Sequence, residues 1–294
     1  MNTGAILTTI GVSLLVCVVL TPVLIPVLRR LKFGQEIREE GPAWHAKKSG
    51  TPTMGGIAIA IGVSVAALVA GIAFSLNAHA LVCMAGGAFL FGFVGFVDDY
   101  IKVVKKRNLG LTSKQKFLAQ LLVTVIVSVY AMYSGVIDSS IIIPFIKSPV
   151  NLGIFTVFLI VFVQLAVVNS VNLTDGLDGL ASSVTLVVSS FLTICAIKMG
   201  NNEVAVFMGA TSAACLGFLF FNANPARIFM GDTGSLFLGG CVALGAIMLK
   251  LPLILILAGG VYLCETLSVI LQVASFKLTG KRIFKMSPIH HHFE

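Results

Sequence analysis

The sequence predicts an all-α fold, a polytopic transmembrane helical bundle of about nine spans forming a single integral membrane domain over residues 1–294. Charged residues make up only 11% of the chain and hydrophobic ones 57%, whereas soluble domains carry about 25% charged residues. The mean hydropathy is +1.01. The apolar residues also gather into runs close to the roughly 20 that a helix needs to cross a bilayer.

These runs lie near 5–28, 54–75, 80–97, 117–134, 152–168, 179–198, 204–221, 235–249 and 252–276. The first is too long for a cleavable signal peptide and ends in Arg29 and Arg30, which makes it a span. The third and eighth hold Gly92, Gly95, Gly239, Gly240 and Gly245, small residues that let helices approach closely. The six cysteines all fall inside apolar runs and none forms a CxxC, so they are read as small buried hydrophobes.

Lysine and arginine set the orientation. The segments after runs one, three, seven and nine hold 17 of the 20 Lys and Arg residues; the opposite side has only Lys147, Lys198 and Lys250. Cytoplasmic loops collect Lys and Arg, so the N-terminus is placed outside and the basic loops inside. Residues 135–150, with Pro144 and Pro149, are expected to form a short exterior loop. Asp98, Asp99, Asp175, Asp178, Asp232 and His290 to His292 all fall on the basic side, at span ends. Acids at such depth are usually functional, and gathered on one face they make a cation site. Glu265 is the ionisable residue expected deepest in the membrane, on one helical face with Ser268 and Gln272.

Asp98 and Asp99 close the third run and point about 100° apart on a helix. One is free for a reaction centre while the other braces a lysine. In Asn169–Gly179, the i+3 spacing of Asn172, Asp175 and Asp178 aligns them along one helix face, and Gly176 and Gly179 allow close approach of a ligand. Asp232 sits between glycines just before a helix, in a loop that also offers Asn222 and Phe229. Carboxylate oxygens beside a phosphate-bearing substrate suit Mg²⁺, and Phe229 is an aromatic for stacking a base. The three histidines suit anion contact better than Zn²⁺, since neighbours in sequence do not converge readily on one ion. Lys47 and Lys48 beside a Gly-rich helix start also suit an anion, without forming a Walker A loop.

Taken in order, GTPTMGG, FVDDYIK, NLTDGLDGLA, NPARIFMGDTGS and HHHFE resemble the phospho-N-acetylmuramoyl-pentapeptide transferase family, within the polyprenyl-phosphate N-acetylhexosamine-1-phosphate transferase superfamily. The resemblance covers nearly the whole chain. It implies transfer of phospho-MurNAc-pentapeptide from UDP to undecaprenyl phosphate, giving lipid I and UMP, with Mg²⁺ as cofactor. The implied partners are UDP-MurNAc-pentapeptide, undecaprenyl phosphate, the bilayer of the bacterial inner membrane and a second copy in a homodimer; nucleic acid is not expected.

The same resemblance makes Asp232 the Mg²⁺ ligand and Asp98 the acid that deprotonates the lipid phosphate, a covalent role being the alternative. Asp99 supports it, through Lys102, and Lys114 is the cation near the diphosphate. Asn172, Asp175, Gly176, Leu177, Asp178, Asn222 and Phe229 line the nucleoside side, with Phe229 under uracil. Lys48, Thr53, Gln272, His290, His291 and His292 are further pocket contacts. The family usually has a tenth span after HHHFE; residues up to Glu294 supply nine and end on the inner side. Two rival readings are a sibling transferase using UDP-GlcNAc, which shares the inner acids, and a cation transporter with Asp98, Asp175 and Asp232 as ion ligands. A regulatory membrane scaffold is a third.

Overall fold

The computed structural model describes residues 2–31, 50–105, 109–146 and 148–294. Among them, nine helices are long and apolar enough to cross a membrane. They are α1 (Thr3–Arg30), α2 (Gly56–Ala73), α3 (Ala78–Val104), α4 (Ser113–Tyr133), α5 (Phe155–Thr174), α6 (Leu180–Met199), α7 (Asn202–Asn222), α8 (Gly231–Met248) and α9 (Gly260–Thr279). A one-turn helix, α10 (His290–Phe293), follows. The fold is a polytopic helical bundle.

The bundle is built around α8. Every residue from Thr233 to Met248 is buried. Helix α8 packs most extensively on α3 and then on α5, while α7 packs on α1 and α6. Its small residues permit this, and the outer helices leave large apolar side chains exposed for lipid, such as Leu15, Leu68, Phe158 and Phe162. Hydroxyls inside the helices bond their own backbone one turn back, as Thr21 does to Cys17 O and Thr185 to Ala181 O. All six cysteines are free thiols.

Three helix boundaries depart from the apolar runs. Helix α3 continues through Asp98, Asp99 and Lys102 to Val104, so the acids lie within the helix. Helix α8 begins at Gly231, so Asp232 stands in its first turn rather than in the preceding loop. The ninth run is broken: a 3-10 turn at Pro252–Ile254 and a single turn at Leu255–Ala258 precede Gly259, where α9 starts anew. The exterior loop carries a minimal hairpin, β1 (Ser140–Ile141) with β2 (Val150–Asn151), antiparallel in the register Ser140 to Asn151 and Ile141 to Val150. Lys250, at the end of α8, ties it down by an ion pair to Asp138 and a bond to Ser140 Oγ at 3.0 Å.

Candidate active site

The site begins where α3 crosses the start of α8. A Cβ on Gly95 would lie 2.1 Å from the Asp232 carbonyl oxygen, so only glycine lets the two backbones meet there. One turn further along α3, Asp98 and Asp99 then come level with Asp232. Asp99 accepts from the backbone N–H of Asp232 (3.2 Å) and Thr233 (2.9 Å) and from Thr233 Oγ1 (2.7 Å). A carboxylate at a helix N-terminus satisfies donors the helix leaves open. Asp99 therefore fixes the turn that carries Asp232. Gly231 enters that turn at φ +71°, and a side chain there would meet Asp99 Oδ2 and Thr53 Oγ1. Thr53 is held beside it because residues 52–56 pair with 229–230: Phe229 N donates to Pro52 O at 2.8 Å, and Gly56 N to Met230 O at 3.0 Å.

Asp98 accepts from Lys102 Nζ at 2.6 Å and from Leu111 N at 2.8 Å. Asp232 is the hub. Its Oδ2 receives Lys102 at 2.8 Å and Lys116 at 2.9 Å, and its Oδ1 receives Asn172 Nδ2 at 2.8 Å. Lys116 also donates to Asn172 Oδ1 at 3.1 Å, and Asn172 reaches Ser235 Oγ at 2.9 Å. Helices α3, α4, α5 and α8 thus meet on one carboxylate. Asp98, Asp99 and Asp232 each offer an oxygen within 4.8 Å of the others. An oxygen-only set of this size suits a hard divalent cation such as Mg²⁺, and three carboxylates against two lysines leave negative charge for it to neutralise.

Lys116 is the residue sequence reasoning missed. Lys114, expected at the diphosphate, is exposed on the first turn of α4, whereas Lys116 is half-buried on the face that continues through Gln120 and Thr124, both buried. That i, i+4, i+8 stripe of polar residues in an apolar helix was the available signal.

The second loop also differs from expectation. Helix α5 ends at Thr174, so Asn172, Asp175 and Asp178 do not line one helix face. Asp175 caps the helix, half-buried. Burial holds its carboxyl well above the usual carboxylate range, and Asp232 and Asp99 add like charge that Lys102 partly offsets. Asp178 turns to the 224–226 loop, accepting from Asn224 Nδ2 and Ala226 N, both at 3.1 Å. Between them Gly176 is exposed and Leu177 half-buried. Asn222 is buried, accepting from Ser182 Oγ (2.9 Å) and donating to Ile228 O (3.0 Å), so it braces the loop that presents half-buried Phe229. Lys48 lies outside the described residues.

The segment after α9 folds back along that helix. Ser275 Oγ donates to Lys281 O at 2.9 Å; Gln272 accepts from Ile283 N and Phe284 N and donates to Phe284 O at 2.9 Å; Glu265 holds His290. Gln272 thus commits its amide to backbone. His291 Nδ1 lies 3.0 Å from Glu294 Oε2, and His292 Nδ1 accepts from Lys285 N at 3.1 Å. Glu265 lies near the acid–lysine cluster in the bundle. Its neighbour Thr266 bonds Ser170 Oγ at 2.7 Å, one turn from the end of α5, which sets Glu265 level with the site.

Residues 81–250 match glycosyl transferase family 4, which places this bundle and its acid–lysine cluster among transferases of that class. Residues 48–59 match signature 1 of the phospho-N-acetylmuramoyl-pentapeptide-transferases. The chain is 52% identical over 285 residues to the phospho-N-acetylmuramoyl-pentapeptide-transferase of Staphylococcus carnosus, covering 96% of this chain and 88% of that protein. It is 52% identical over 286 residues to that of Clostridium perfringens (97% and 88%) and 50% identical over 297 residues to that of Anoxybacillus flavithermus (100% and 90%). The chain belongs to the phospho-N-acetylmuramoyl-pentapeptide-transferase family.

Proposed function

We propose that this protein transfers phospho-MurNAc-pentapeptide from its UDP carrier to undecaprenyl phosphate at the cytoplasmic face of the bacterial inner membrane, giving lipid I and UMP. The observation that carries this reading is the meeting of Asp98, Asp99 and Asp232 with Lys102 and Lys116 at the Lys/Arg-rich end of a membrane bundle. Phosphoryl transfer needs little covalent chemistry from a protein; it needs positioning and stabilisation of charge on the phosphates. Two ammonium groups within 2.9 Å of Asp232 supply positive charge where a diphosphate would lie.

Asp98 takes the proton of the lipid phosphate, whose oxygen attacks the sugar-linked phosphorus. The bond to UMP breaks as the new diphosphate bond forms, and the proton leaves with UMP. Because one diphosphate replaces another, no ATP is required. Lys102, bonded to Asp98 and Asp232, steadies Asp98 between the proton and the phosphates. Asp99 keeps Asp232 in place. A Mg²⁺ held through Asp232 would neutralise charge on the diphosphate oxygens. The Asp175–Asp178 turn and Phe229 receive the nucleoside. A homodimer is the proposed assembly.

The test is UMP release by the purified chain with undecaprenyl phosphate, Mg²⁺ and either UDP-MurNAc-pentapeptide or UDP-GlcNAc. UMP from the muramoyl substrate is expected. Release only from UDP-GlcNAc favours the sibling transferase, and cation flux in proteoliposomes without UMP favours a transporter.

A further inference from the structure

A carboxylate in a membrane-spanning helix is costly unless partnered, and α9 carries Glu265 buried inside the protein. Its Oε2 lies 3.0 Å from His290 Nδ1 and 3.4 Å from the His290 backbone N–H. An ionised carboxylate only accepts hydrogen bonds, so it selects the tautomer with the proton on Nδ1. The other ring nitrogen, Nε2, is buried and has no hydrogen-bond partner. It faces the loop across the site: a Cβ on Gly176 would lie 2.1 Å from His290 Nε2 and 2.6 Å from Cε1. Glycine at 176 therefore lets Nε2 pack directly against the loop backbone, as an acceptor that nothing in the protein satisfies. A buried acceptor left without a donor is costly to a fold, so it calls for a partner.

We propose that Glu265 is the positioning residue of the site, fixing His290 so that Nε2 is presented as a hydrogen-bond acceptor to a hydroxyl or N–H of the nucleotide substrate at the 175–178 turn. This rests on reading the chain as a phosphoglycosyl transferase. It also gives the polar face of α9 a purpose: the Ser275 and Gln272 contacts hold the return segment so that His290 meets Glu265. The titratable groups that act on His290 are Glu265 from α9 and His291 and Glu294 from its own segment; the loop packed against it at Gly176 also carries Asp175 and Asp178. Burial holds His290 below the usual histidine range while Glu265 pulls the other way. Neutralising Glu265 should therefore lower the His290 pKa further.

The experiment uses the full chain in nanodiscs, with Glu265→Leu and Glu265→Gln followed by UMP release across pH. Glu265→Leu is expected to lower kcat/KM by about 10- to 100-fold, the range of one hydrogen bond to a charged group. Glu265→Gln, whose amide oxygen still accepts from Nδ1, is expected to keep most of the rate while the acid limb of kcat/KM moves to lower pH. In a His290→Ala background, Glu265→Leu should add no further loss. A near-normal rate for Glu265→Leu, an additive loss in that background, or an unmoved acid limb in Glu265→Gln would overturn the proposal. If Glu265→Leu does not fold, ¹⁵N shifts of His290 in the wild-type chain decide: Nδ1 protonated and Nε2 bare supports it, and the reverse tautomer ends it. A wild-type chain that releases no UMP overturns the transferase reading instead, and the ¹⁵N measurement still tests Glu265.

Discussion

Gly95→Ala adds one methyl group at a residue that has no side chain in the acid–lysine cluster, and it tests whether the site depends on the crossing of α3 and α8. The new Cβ would start 2.1 Å from Asp232 O, 2.4 Å from Asp232 C and 2.7 Å from Thr233 N, all backbone atoms that cannot swing aside. Ordinary contact begins at 3.4 Å, so the helices must part by about 1.3 Å. Overpacking of this kind costs about 1–3 kcal/mol, which a bundle with α8 buried along its length can survive. The chemistry is less forgiving. The three bonds from Asp99 to the start of α8 and the Lys102 contact on Asp232 all span this junction, and a misplacement of about 1 Å costs on the order of 100-fold in rate. The assay is UMP release beside thermal unfolding in detergent. The expected result is a folded protein with kcat down about 100-fold and a modest change in KM. A folded variant within about twofold of the wild type would refute the view that this contact sets the geometry.

Lys116→Ala is expected to cost at least about tenfold more kcat than Lys114→Ala, since of these two lysines it is Lys116 that bonds Asp232; equal effects would return the role to Lys114. Asp232→Asn should fold yet nearly abolish turnover. Wild-type activity should vanish on chelation and return with Mg²⁺; turnover unaffected by chelation would remove the ion from the mechanism. On the opposite face, Lys250 and Ser140 hold the Asp138 carboxyl down at about 2, below the unfolded value of about 3.9. A depressed pKa stabilises the fold above the unfolded value, and the effect fades as pH falls from about 4 towards about 2. Asp138 is 57% exposed, so solvent screening limits the gain to under about 1 kcal/mol. Comparing wild type with Asp138→Asn by thermal unfolding should show a small gap at neutral pH that closes in acid, and a gap that widens in acid would contradict it.

Nine spans were legible because crossing a bilayer demands length and apolarity, and both are written in composition. Helix ends were not. A hydropathy run stops at the first charges, but the backbone ladder of α3 runs on through Asp98 and Lys102, and that of α8 starts before Thr233 because Asp99 caps it from another helix. Such a cap is a long-range partner that no local window contains. The acids were recognisable as a set, since charge is scarce here. Which lysine answers them depends on the rotation of α4, which only its buried polar stripe reveals. Glu265 looked deep because the ninth run was read as one unbroken span from 252. The restart at Gly259 and the Thr266 to Ser170 bond set it instead beside the histidines.

The folded-back segment gives the enzyme an order of completion. During synthesis the aspartates and Lys116 can assemble as soon as α8 has inserted, but His290 can dock only after α9 is in place and the following residues have turned back on it. A nascent chain would thus hold its acid–lysine cluster before its histidines are docked.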